Sequence, residues 1–115
     1  MSLFTKNTTN QTSKKDLKIL ELIRRRRLQI LVHSCIYYRF NSSLIDDATF
    51  DKFAKELVSL QKKYPKYAKK VRYSEAFEGF EGSTGYRLPM GDINIVSKAE
   101  QLLRYANNKE FVNNV

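Results

Sequence analysis

The chain has 115 residues, enough for one domain with a modest core, and 42% of them are hydrophobic, close to the globular norm. No apolar run approaches the eighteen or so residues that a membrane span needs, and the single cysteine, Cys35, has no partner for an internal disulfide. This usage suits a reducing cytoplasm. The formal net charge is +9, which favours anionic partners, and with no apolar run long enough to span, a membrane partner is not expected.

Residues 1–13 hold one charge and many Thr, Asn and Gln, with no apolar segment of the kind a signal peptide carries. They read as a disordered arm. Residues 14–108 read as a single helical domain, and residues 109–115 as a frayed tail. The fold class expected is all-α. Ser13 opens the first helix, with Asp16 three positions on in a capping-box arrangement. The helix is expected over 14–40, on the order of 39 Å long at 1.5 Å per residue. Leu17, Leu20, Leu28, Leu31, Cys35 and Tyr38 share one face at 100° per residue, and Ile19, Ile23, Ile30 and Tyr37 form an adjoining stripe. Residues 30–38 are nearly apolar all round, so they belong at the centre of the core.

The turn Asn41-Ser42-Ser43 breaks the pattern. A second helix over 47–64 follows, with Phe50, Phe53, Ala54, Leu57, Leu60 and Tyr64 at i, i+3, i+4, i+7 spacing. The connection is short, so this helix must fold back on the first. Pro65 ends it, and a short basic helix is expected over 66–71. The segment from Phe77 to Tyr86, with Gly79, Gly82 and Gly85, is irregular. It lacks Gly-Lys-Ser/Thr and carries Glu78 and Glu81, so it is a packed turn between Phe77, Phe80 and Tyr86 rather than a phosphate loop. Asp92 caps a last helix whose expected apolar face is Ile93, Val96, Ala99, Leu102, Leu103 and Ala106, with a stop at Asn107-Asn108.

Five candidate ligand contacts, Tyr37, Tyr38, Asp47, Phe50 and Asp51, lie within a longer pattern. Tyr37-Tyr38 near the end of one helix, followed by Asp47-Ala48-Thr49-Phe50-Asp51 at the start of the next and by Glu56-Leu57 and Tyr64-Pro65, resembles the N-terminal helical subdomain of NAD-dependent DNA ligases. The likeness covers about a third of the chain. It implies a helical hairpin in which Tyr37 and Tyr38 supply ring faces for a nicotinamide, and Asp47 and Asp51 supply carboxylates for its amide and ribose. Phe50 stands where that family has tyrosine, so one hydroxyl is missing. No cofactor is required by such a subdomain acting alone, while nicotinamide mononucleotide (NMN) or NAD is a possible ligand. The 115 residues contain no Lys-x-Asp-Gly, the motif of the adenylated lysine. Without that motif, the resemblance implies a non-catalytic module. Asp47 is open to a plainer reading as the N-cap of the second helix, with Asp51 stabilised by the helix dipole. The segment Phe77-x-x-Phe80-x-Gly82-Ser83-Thr84-Gly85-Tyr86-x-Leu88-Pro89 is similar to small uncharacterised phage and prophage proteins. That likeness implies a bacterial host cell and a possible role in modulating host replication or defence.

Charge supplies the remaining candidates. Arg24, Arg25, Arg26 and Arg27 sweep 300° of a helix, so they cannot all face solvent, and the wheel aims Arg24 into the apolar stripe between Leu20 and Leu28. Lys62, Lys63, Lys66, Lys69, Lys70 and Arg72 form a second cluster interleaved with Tyr64, Tyr67 and Tyr73, a pattern compatible with base stacking. The sequence thus points to a binding module whose basic face meets nucleic acid, a nucleic-acid enzyme or another acidic protein. An NMN or NAD binder is the alternative, and a homo-oligomer joined through the first helix is the third. His33 and Cys35 lack the further ligands of a zinc site.

Overall fold

A computed structural model describes residues 13–82 and 88–114. The expected arm lies outside the described residues except for Ser13, as do Gly85 and Tyr86 of the glycine segment. The fold is all-α. Helix α1 spans Lys14–Arg39, α2 Asp47–Lys63, α3 Pro65–Ala68 and α4 Ile93–Asn114. Among the described residues no helix is long and apolar enough to cross a membrane.

Local chemistry sets the helix ends. The Ser13 hydroxyl accepts the Asp16 amide at 3.0 Å, satisfying an amide that has no partner within the helix. At the other end Asn41 adopts a left-handed backbone with φ of 50°, a conformation that Asn tolerates better than most residues. The Ser42 amide then returns to the Ile36 carbonyl. Asp46, not Asp47, caps α2: its carboxylate accepts the Thr49 amide at 2.8 Å. The reading of Asp47 as the cap is therefore off by one residue, because Asp46 beside it presents the same carboxylate. The cap leaves Asp47 in the first turn with its side chain exposed.

Helix α1 is the spine. It packs against α2, α3 and α4, whereas α2 and α4 do not meet. Both long partners run antiparallel to it. Arg26 reaches Glu56 and Arg27 reaches Gln61, with Asp16 bonded to Tyr67 further on. Being covered from two sides explains why residues 30–36 are apolar nearly all round: Ile30, Leu31, Val32, Cys35 and Ile36 are all buried. Leu57 and Ala54 meet them from α2, and Ile95 and Ala99 from α4.

Two expected faces are rotated in the structure. Along the first half of α1 the buried line is Ile19, Ile23, Arg27 and Ile30, while Leu17 is exposed. Arg24 therefore does not enter the core; Arg27 does. On α4 the inner face is Ile95, Val96, Ala99 and Leu103, and Ile93 is 80% exposed because it lies about 200° round the helix from the fully buried Ile95. Helix α4 also continues to Asn114, past the expected stop at Asn107-Asn108. Asparagine costs a helix only tenths of a kcal/mol, and no Gly or Pro follows to break it.

The irregular segment between α3 and α4 is fixed from within. Arg27 donates to the carbonyls of Ala68, Val71 and Arg72 at 2.9, 2.9 and 3.2 Å. Phe77 is fully buried, edge-on to Phe80 at 5.2 Å. Gly82 has φ of +87°, and a Cβ there would sit 3.5 Å from the Val58 side chain. Glycine at this point lets the loop lie flat on α2.

Candidate functional site

A cleft of about 320 Å³ opens where α1 ends and α2 begins. The antiparallel hairpin builds it. Tyr37 and Tyr38 come from the last turn and a half of α1, Asp47, Phe50 and Asp51 from the first turns of α2, and Gly82 from the loop above. All five residues of the ligase-like pattern therefore line one cavity. Asp47 and Asp51 are four residues apart, which places them on one face of α2.

The aromatic wall is unusually open. Tyr37 is 60% exposed and Tyr38 42%, with their rings edge to face at 4.9 Å. Rings this large are normally buried where packing alone places them. The carboxylates of Asp47 and Asp51 join no ion pair within 4 Å among the described residues. Asp46, also at the rim, is held below the usual carboxylate range by the Thr49 amide and hydroxyl that it faces. The mouth of the cleft is thus negative.

Its floor adds two residues that the sequence pattern did not single out as ligand contacts. Ser34 is 2% exposed, yet its hydroxyl has no hydrogen-bond partner among the described residues, and neither does the buried Nδ1 of His33. Both line the cavity. Burial holds the His33 imidazole below its ordinary pKa, so it is neutral at neutral pH. Buried polar atoms without partners are uncommon, and each calls for a structural reason. The remaining polar residue of this stretch, Cys35, points into the core, where burial raises its thiol pKa and leaves it a packing group.

The chain matches no family model, no curated protein and no solved structure.

The arginine run does not form one basic face. Arg24 is forked onto Glu21 at 2.8 Å through both Nε and Nη2, with Arg25 3.7 Å from the same carboxylate. Arg26 pairs with Glu56 at 2.6 Å and lies 5.1 Å from the Phe53 ring centroid. Arg27 is 1% exposed and cannot meet a partner. Its guanidinium donates twice to Gln61 Oε1 and three times to backbone carbonyls, and Gln61 in turn donates to the Phe77 carbonyl. Burial pushes its pKa down to about 10, which still leaves it charged at neutral pH. Its position four residues beyond Ile23 and eight beyond Ile19 was the one sign of this in the sequence. Lys62, Lys63, Lys66, Lys69, Lys70 and Arg72 are all exposed, and Arg72 lies 3.9 Å from Asp92.

Among the described residues no cluster of three His, Cys, Asp or Glu side chains is placed to hold a metal ion.

Proposed function

We propose that the protein is a binding module whose cleft takes a cationic aromatic nucleotide, with NMN, alone or as half of NAD, as the ligand of best fit. The observation that carries this reading is one cavity that combines exposed tyrosine rings, the Asp47 and Asp51 carboxylates, and a floor of unpartnered Ser34 and His33 atoms. A pyridinium ring is attracted to π faces and to carboxylates alike. Its carboxamide has both a donor and an acceptor, which can complement a hydroxyl and a neutral imidazole nitrogen. The ribose hydroxyls suit a carboxylate, whereas the phosphate must stay outside the negative mouth.

The ligase-like order of Tyr37, Tyr38, Asp47, Phe50 and Asp51 supports the same ligand. With no Lys-x-Asp-Gly in these residues, binding is not followed by transfer of adenylate within them. Phenylalanine at 50 removes a hydroxyl, so the expected affinity is weak, on the order of 0.1–1 mM. Titration calorimetry with millimolar NMN tests the proposal. Saturable heat that disappears in Asp51→Ala supports it. No heat, or equal heat with the variant, removes the nucleotide reading.

A further inference from the structure

The opposite end of α1 carries a second constellation, unconnected with the cleft. A notch of about 390 Å³ lies between the first turns of α1 and the junction of α2 with α3. Lys15 reaches it from α1, and Lys63 and Lys66 from the other side, with the Tyr64 and Tyr67 rings between them. Lys15 lies 48 and 51 positions before Lys63 and Lys66 along the chain, and only folding brings it to them. The single carboxylate in the notch, Asp16, accepts the Tyr67 hydroxyl, which with Ser13 holds its pKa below the usual range. Three lysines therefore line the notch beside one carboxylate that is already hydrogen-bonded.

The two tyrosines give this end a shape as well as a charge. Their rings are stacked at 5.7 Å between centroids and 17° between planes, and the Lys63 ammonium lies 5.5 Å from the Tyr64 centroid. Both rings are half-buried, so each is held in place and still reachable. Lys14, Lys18, Lys62, Lys69 and Lys70 are exposed on the same helical segments, and none forms an ion pair among the described residues. The exposed members of the arginine run are different, since Glu21 neutralises part of their charge.

We infer that this notch binds single-stranded nucleic acid, with a base added to the Tyr64–Tyr67 stack and the flanking phosphates on Lys15, Lys63 and Lys66. Fixed aromatic faces with cations beside them are what an unpaired strand requires, because every base offers a π face. A duplex hides those faces and could use only the lysines. The contact reads no sequence, since nothing in the notch is placed to recognise base edges.

Fluorescence anisotropy of the full chain tests this, with a labelled oligothymidine of about twenty nucleotides and a duplex of equal length, from about 50 to about 200 mM salt. The strand should bind at least about fivefold tighter than the duplex. Lys15→Gln/Lys63→Gln/Lys66→Gln should weaken strand binding at least about tenfold and flatten the salt slope by about 2. Arg24→Gln/Arg25→Gln, an exposed charge change elsewhere on α1, should leave that slope unchanged. Tyr64→Leu should cost about fivefold without altering the slope, and Tyr64→Phe, which keeps the ring, should retain binding. Thermal unfolding of each variant separates lost contact from lost fold. The inference is overturned by no binding at the lowest salt, by equal affinity for strand and duplex, or by a triple variant that binds as the parent does. Displacement of the strand by polyglutamate of equal charge would also overturn it and assign the face to an acidic protein. Asp51→Ala should not change strand binding, so this test and the NMN titration fail independently.

Discussion

Helix α1 buries polar side chains in two places, and the two are treated oppositely. At Arg27 the guanidinium makes five hydrogen bonds, to Gln61 and to three carbonyls at and just beyond the end of α3. At Ser34 and His33, two turns further on, buried oxygen and nitrogen atoms have no partner and face a cavity. A saturated buried group is a fastener: its partners are all internal and nothing is left to offer. An unsaturated one at the floor of an open cleft leaves bonding capacity for something that enters. The contrast separates polarity satisfied within the fold from polarity left open at a cavity, and it moves Arg27 out of the surface to which the sequence assigned it.

Disruption of the fastener should have the largest effect. Arg27→Met keeps much of the volume but strands Gln61 and the carbonyls of Ala68, Val71 and Arg72. Each of these neutral groups costs about 1–3 kcal/mol when left unsatisfied, so urea unfolding should show a loss of roughly 3–5 kcal/mol, and Arg27→Lys should not rescue it, because an ammonium lacks the planar fork. A loss under about 1 kcal/mol would show that water or a rearranged loop replaces these bonds. Leu57→Ala, which removes a fully buried side chain between α2 and α1, should cost about 2–5 kcal/mol by the same measurement. A value below about 0.5 kcal/mol would mean that the hairpin does not depend on this contact.

The cleft floor should behave in the other sense. Ser34→Ala removes a hydroxyl that bonds to nothing among the described residues, so stability should change by less than about 1 kcal/mol, in either direction. A larger loss would make Ser34 a second fastener. His33 gives the smallest effect and a defined pH window. Its folded pKa lies below the ordinary value of 6.5, so the unfolded chain binds its proton more readily. Its contribution is complete above pH 6.5 and declines as the pH falls below that value. Melting temperature measured downward from neutral pH should show this decline in the parent protein and lack that component in His33→Gln.

Much of the fold was legible in the sequence because its signals are local. Ser13, the Asn41-Ser42-Ser43 turn, Pro65 and Asp92 mark ends that lie within a few residues of the chemistry that makes them. The period of Ala54 and Leu57 placed α2 against α1. The rotated faces were not legible. A helical wheel scores Arg27 as polar and Leu17 as apolar, and reversing that order requires carbonyls 41 to 45 positions away. The gathering of Tyr37, Tyr38, Asp47, Phe50 and Asp51 around one cleft was readable, since a short turn forces the hairpin to close over it. The Ser34 and His33 floor was not, because the lack of a partner is a property of the packed molecule. Nor was the meeting of Lys15 with Lys63 and Lys66, which depends on α1 and α2 being antiparallel.

The central claim is that the cleft selects a positively charged aromatic ring, and reduction of that ring tests it most directly. NMN and its dihydro form share carboxamide, ribose and phosphate, and differ in the charge and aromaticity of the ring. Calorimetric titration of the same protein with each isolates that difference. Exposed tyrosine faces and two unpaired carboxylates should favour the oxidised form by about 1 kcal/mol, roughly fivefold in affinity. Equal affinities, or tighter binding of the reduced form, would contradict the account.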